Sequence, residues 1–227
     1  MSETKLDMTD EEREELELVE SDKGALESLV DELSGRRRRR RQFAAHVIHM
    51  LAQQQGADEL LDHLPALIDA LDLSEAQTRW EILDTMTLLV DDAERGLDGA
   101  FDGAADALFD ESSASLRLAA FNYLCTWGAA TKNRANKVWP LIDEAIQCYH
   151  GNAEYHDMLA SLMVYCEGKI DGKIAQELAD RLEFDAGAMR NTYLKTRSVE
   201  IREFLAKRFK LDLSKKAKKT APKKDEE

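Results

Sequence analysis

LPALIDALDLSEAQTRWEILDTMTLL, residues 64–89, carries two helical faces separated by a polar turn. In its first half Leu64, Leu67, Ile68 and Leu71 fall at i, i+3, i+4 and i+7, one side of a helix, with Asp69 nearly opposite. In its second half Ile82, Leu83 and Met86 lie three, four and seven residues beyond Arg79 and form a second such face. A strand would alternate with period two, so the stretch reads as helix, turn, helix.

The same unit recurs along the chain. Asp31, Asp69, Asp106, Asp143 and Asp180 are 37 or 38 residues apart, and each has apolar residues five, two and one positions before it and two after it. Arg41, Arg79 and Arg117 are 38 apart, and Tyr155 and Tyr193 continue the series. Beyond the first four of these lie Ala44, Ala45 and Ile48; Ile82, Leu83 and Met86; Ala120, Phe121 and Leu124; Met158, Leu159 and Leu162. Five two-helix units therefore occupy residues 24–213. The fifth drifts: after Tyr193 the apolar residues Leu194, Ile201, Phe204 and Leu205 predict one longer terminal helix with a polar outer face, the atypical end a stacked array requires. Gly56, Gly96, Gly128 and Gly168 are expected to end second helices in the left-handed conformation, and Pro65 and Pro140 to stand near the starts of first helices.

Composition agrees. Three Pro and eleven Gly in 227 residues are few, which excludes an all-β sandwich. Forty-five acidic against thirty-one basic side chains give a formal charge of -14, against a protein that holds nucleic acid by overall basicity. The charge is uneven. Residues 1–35 carry thirteen acids against three bases, the arm 1–23 being read as disordered or short-helical. Residues 36–41 are six consecutive arginines, and residues 42–213 are again acidic. The tail, 214–227, has six Lys against three acids and is expected to be disordered. Three widely spaced Cys point to reduced thiols, no apolar run is long enough to span a membrane, and the start of the chain is acidic where a secretory signal would be basic. A soluble, cytoplasmic protein is the expectation.

The stretch quoted first resembles a HEAT repeat: an apolar helix with an early Pro, Asp72 opening the turn, Arg79 opening the second helix, then an apolar second helix. Residues 104–124, AADALFDESSASLRLAAFNYL, match again with Asp110 and Arg117. The resemblance covers residues 24–213 and implies an all-α, right-handed α-α superhelix of about five HEAT-like repeats. It also implies that Asp72, Arg79, Asp110 and Arg117 form the ladder tying neighbouring repeats together, and that the helix after the Arg lines a concave face. The solvent side of that helix, taken opposite its core positions, then presents Phe43, His46, Glu81, Asp84, Asn122, Tyr123, Asp157 and Ser161.

No catalytic constellation stands out. HEAT-like enzymes that hold iron use paired His-Glu steps, whereas the five His here precede Val, Met, Leu, Gly and Asp. Cys148, His150, His156 and Cys166 lack the spacing of a zinc site, and no metal or cofactor is expected. Trp139 and Asp143 share the four-residue spacing used by HEAT-like DNA glycosylases, but Asp143 is already explained as a member of the Asp series. The expectation is a non-catalytic scaffold that binds a neutral or basic protein or peptide on the concave face. The alternative is a nucleic-acid-associated protein using the basic tail and Arg36, Arg37, Arg38, Arg39, Arg40 and Arg41. That run is either a phosphate or acidic-partner contact, or the counter-charge of the acidic segment 10–32.

Overall fold

The computed structural model describes residues 9–55, 58–93, 96–190 and 192–213. The basic tail, residues 1–8 and Gly56 lie outside them. Twelve α-helices follow one another among the described residues, with no strand. They are α1 (Asp10–Ser21), α2 (Lys23–Asp31), α3 (Arg38–Gln55), α4 (Leu64–Asp69), α5 (Ala76–Leu88), α6 (Phe101–Leu108), α7 (Ala114–Ala129), α8 (Lys132–Tyr149), α9 (Tyr155–Glu167), α10 (Gly172–Arg181), α11 (Glu183–Ala186) and α12 (Tyr193–Phe209). Short 3₁₀ segments extend α2 at its end, α4 at both ends and α6 at its start.

Two layers result. The second helices α3, α5, α7, α9 and α12 stack each on the next, and α1 packs on α3 at the head of that row. The first helices α2, α4, α6, α8 and α10 form the other layer. Every residue of the four second-helix triads named above is buried, as are Leu26, Leu64, Phe101, Val138 and Ala175 in the first layer. In the fifth unit α12 buries Ser198, Ile201 and Leu205. The fold is an all-α superhelical repeat.

Local chemistry sets the helix starts. Thr9 and Glu12 form a reciprocal capping box on α1, and the side chains of Asp22, Ser113, Thr131, Asp171 and Thr192 accept from the first turns of α2, α7, α8, α10 and α12. The acidic stretch 10–21 is thus a helix whose Leu16 and Val19 are buried.

Two local expectations need correction. Gly151 is the one glycine with positive φ among the described residues, so neither Gly96, Gly128 nor Gly168 serves as a left-handed stop. Gly128 lies inside α7, where a Cβ would come 3.1 Å from the Tyr165 ring. Gly168 does close α9, but its need is space: a Cβ there would stand 2.4 Å from the Cα of Ala129. Pro140 is in the interior of α8, because that helix already begins at Lys132. The position is exposed, so solvent can hydrate the carbonyl that the proline leaves unpaired.

Candidate partner-binding site

Polar pairs, most of them made by an arginine at the start of a second helix, link each unit to the next. Arg41 donates to Glu75 and, at 2.7 Å, to the Gly35 carbonyl. Arg79 donates to Asp106 at 2.9 Å and lies 3.9 Å from Asp110. Arg117 donates through Nε to Glu154 at 2.9 Å and through Nη1 to the Asp110 carbonyl at 2.8 Å, with its guanidinium over the Tyr149 ring. His150 meets Asp185 at 2.8 Å in the last step. The Arg41 bond holds Glu75 below the ordinary carboxylate range. For Glu154, burial pushes upward, but the bonds from Arg117 and its own backbone leave it lowered.

The ladder thus includes Arg79, Asp110 and Arg117 but not Asp72, which is exposed and has no ion pair among the described residues. Its place is taken by Glu75 and Glu154, nearer the helix starts, where they reach the preceding unit's arginine. Sequence reasoning missed both because they do not recur at one repeat position.

Of the residues expected on the solvent side of the second helices, Phe43, His46, Asp84, Asn122 and Ser161 are half-buried and Asp157 is exposed, whereas Glu81 and Tyr123 are buried. His46 Nδ1 lies 2.9 Å from Glu81 Oε1, and His46 Nε2 lies 3.8 Å from Glu12 of α1. Glu81 is itself buried. Its hydrogen bond raises the His46 pKa, more than burial lowers it, and the charges of Glu81 and Glu12 add to the rise. His49, one turn on, is lowered by burial. Ser161 donates to Asn122 across α9 and α7. Phe43 is half-buried beneath the Arg40 guanidinium, and Asp157 is exposed in the first turn of α9.

Tyr123 does not belong to this surface. It is fully buried and its hydroxyl donates to the Leu97 carbonyl at 2.9 Å. Position 123 is one residue past Asn122, and that 100° step turns the side chain into the contact with the first layer.

Asp84 and Asn122 line one depression of about 240 Å3 between α5 and α7, together with Trp80, Ser115, Leu118 and Ala119. Burial, then the neighbouring Glu81 charge, pushes the Asp84 carboxyl up to about 6. No hydrogen-bond donor or cation among the described residues pairs with it. Trp80 stands one turn before Asp84 on the same helix, an i, i+4 pair that spacing alone could have revealed. Leu88 and Val164, each nine residues beyond Arg79 and Tyr155, are large apolar side chains left exposed on α5 and α9.

The residues weighed for chemistry are engaged structurally. Trp139 Nε1 donates to Glu177 at 2.6 Å, and Asp143 accepts two bonds from Arg181 at 2.7 and 2.9 Å. Cys125 and Cys166 are buried, and burial pushes the Cys166 thiol up to about 12. Among the described residues no group of His, Cys, Asp and Glu is arranged to hold a metal ion, and no helix is long and apolar enough to cross a membrane.

Comparison with solved structures matches this architecture. A computationally designed armadillo repeat protein for modular peptide recognition superposes with a TM-score of 0.66 at 15% identity, over 85% of this chain and 86% of that one. The chain has the fold of an all-helical repeat solenoid. A second designed armadillo repeat protein has a TM-score of 0.66 at 16% identity, over 86% of this chain and 87% of the other, and an engineered protein gives 0.66 at 13%, over 86% and 90%. No family model and no curated protein matches the repeat protein's sequence.

Proposed function

We propose that this repeat protein is a non-catalytic scaffold that binds an extended basic segment of a protein partner along its second-helix layer. The observation that carries the reading is Asp84, a half-buried carboxylate in an open depression, without a counter-ion among the described residues. A carboxylate desolvated in this way destabilises the fold unless something positive arrives, and an arginine or lysine of a partner supplies it. Trp80 offers an aromatic surface to the stem and charge of such a side chain, and Asn122 and Ser115 offer hydrogen bonds to a peptide backbone. Leu88 and Val164 supply apolar contact on the same layer. The peptide recognition stated for the designed armadillo protein is consistent with this use of the fold.

An extended peptide directs alternate side chains to one face, so the probe is a fluorescein-labelled peptide of alternating arginine and serine, with an uncharged glutamine-serine peptide as control. Anisotropy titration is expected to show binding of the arginine peptide alone, and Asp84→Asn is expected to weaken it by roughly tenfold or more. Equal binding by wild type and the Asp84→Asn variant sinks the assignment of the groove.

A further inference from the structure

The six-arginine run is two features. Arg41 is structural, its side chain 14% exposed between the Gly35 carbonyl and Glu75. Arg40 is paired, 3.7 Å from Glu11 and 3.6 Å from Glu32, and lies over Phe43. Arg36, Arg37, Arg38 and Arg39 are exposed, and none has an ion pair or side-chain hydrogen bond among the described residues. The acidic α1 is in place beside them and still leaves them unneutralised; Arg38 reaches Glu75 only through its field.

Local stability does not account for these four. They lie in the turn and first turn of α3, where cations oppose the helix dipole and repel one another. The Arg37 carbonyl accepts the first helical bonds, from Arg40 at 2.9 Å and Arg41 at 3.1 Å, so an arginine sits where Ser113 and Thr192 cap α7 and α12. The absence of lysine from the run is informative as well. The guanidinium fork grips planar oxyanions through two bonds, which an ammonium cannot do.

We infer that Arg36, Arg37, Arg38 and Arg39 form a docking site for a short acidic, carboxylate-rich segment of a protein partner. Two observations choose that occupant over nucleic acid. The patch is bordered by acids: Glu11 and Glu32 stand beside the adjoining Arg40, so a long polyanion would run into like charge. Phe43, one turn further along α3, already carries Arg40 over its ring, a face on which a base would otherwise stack. Consecutive positions on a turn and helix start also point in different directions, a knob that a flexible segment can wrap and a rigid duplex cannot.

The test is fluorescence anisotropy of the full chain with a labelled octaglutamate peptide at about 0.15 M salt, alongside an oligouridylate and a DNA duplex of matched charge. Octaglutamate is expected to bind, and replacing all four arginines with glutamine is expected to weaken it roughly tenfold or more. The pair Arg38→Gln and Arg39→Gln alone is expected to give an intermediate loss, which reads the site without relying on the quadruple variant. Asp84→Asn is expected to leave this binding unchanged, so failure here and failure of the groove reading are distinguishable. Unchanged octaglutamate binding in the quadruple variant overturns the inference. Tighter binding of the oligouridylate or duplex, lost with the same four arginines, overturns it in favour of a nucleic-acid contact.

Discussion

Replacing Asp84 with asparagine is expected to stabilise the protein while it removes the partner's anchor. The carboxyl is raised from 3.8 to about 6, first by burial and then by Glu81, so the folded chain holds this proton more tightly than the unfolded one. The charged form is therefore penalised in the fold. The penalty is full above about pH 6 and fades as the group protonates below it. At 1.36 kcal/mol per pH unit its ceiling is roughly 3 kcal/mol, and solvent at a half-buried position reduces it to about 1–2 kcal/mol. Asparagine keeps the shape and drops the charge. Urea unfolding of wild type and variant between about pH 4 and 8 reads the difference directly. His46 also favours the acid side: its raised pKa contributes stability that is complete below its ordinary value of 6.5 and is lost as pH rises through the folded value. That contribution is common to both proteins and cancels in the comparison. The variant should be more stable by about 1–2 kcal/mol at pH 8, the difference shrinking below about pH 6 and closing only as pH approaches the ordinary value of 3.8. A difference that is zero at pH 8, or constant across the range, refutes the argument that Asp84 is a desolvated, uncompensated charge.

Other outcomes follow from the same geometry. Gly168→Ala places a Cβ 2.4 Å from the Ala129 backbone and strains the 2.8 Å bond from the Lys169 amide to the Ala129 carbonyl, so urea unfolding should show a loss of about 2–4 kcal/mol. Gly172→Ala, whose Cβ would meet only Phe209 at 4.0 Å, should be neutral or stabilising by up to about 1 kcal/mol, and similar effects at the two glycines would contradict the close-approach account. Arg117→Met leaves the buried Glu154 uncompensated and should cost about 3 kcal/mol, with most of the loss recovered when Glu154 is also replaced by Met. Protection of the α1 amides, taken relative to their intrinsic exchange at each pH, should fall as pH rises past the folded pKa of His46, once that ring loses its charge between Glu12 and Glu81; Glu12→Gln should remove most of this change, and protection that stays constant with pH would exclude the link.

The core was legible in the sequence because it obeys a period. Leu64, Leu67 and Leu71, or Ala120, Phe121 and Leu124, are buried at the spacing that names them. What was less legible depends on the third dimension. Glu75 and Glu154 stand at different places in their units, and only the approach of Arg41 and Arg117 from the preceding unit makes them one kind of residue. Tyr123 reads as a surface position on a helical wheel drawn around three core offsets, yet α7 is packed by α5, α9, α6 and α8, and a helix so surrounded buries far more of its circumference. Gly168 reads as a helix stop. Its actual constraint is Ala129, almost forty residues earlier, and no local pattern encodes that contact.

The distribution of polar bonds gives a reason for the shape of the groove. Apolar stacking between second helices is non-directional, and faces built from Ala, Leu and Ile tolerate small rotations of one unit on the next. The pairs Arg41 to Glu75, Arg79 to Asp106 and Arg117 to Glu154 are directional, and each crosses one junction between units. Their net contribution to stability is modest once desolvation is counted. Their geometric effect is larger, because fixing the angle between α5 and α7 fixes the spacing of Trp80 and Asp84 from Ser115 and Asn122. A depression assembled from two adjacent units depends on that angle, whereas the hydrophobic core beneath it does not. In this protein Arg41, Arg79 and Arg117 fix the register between units, Arg36 to Arg39 have no ion pair among the described residues, and the difference lies in whether an acid of the next unit comes within reach.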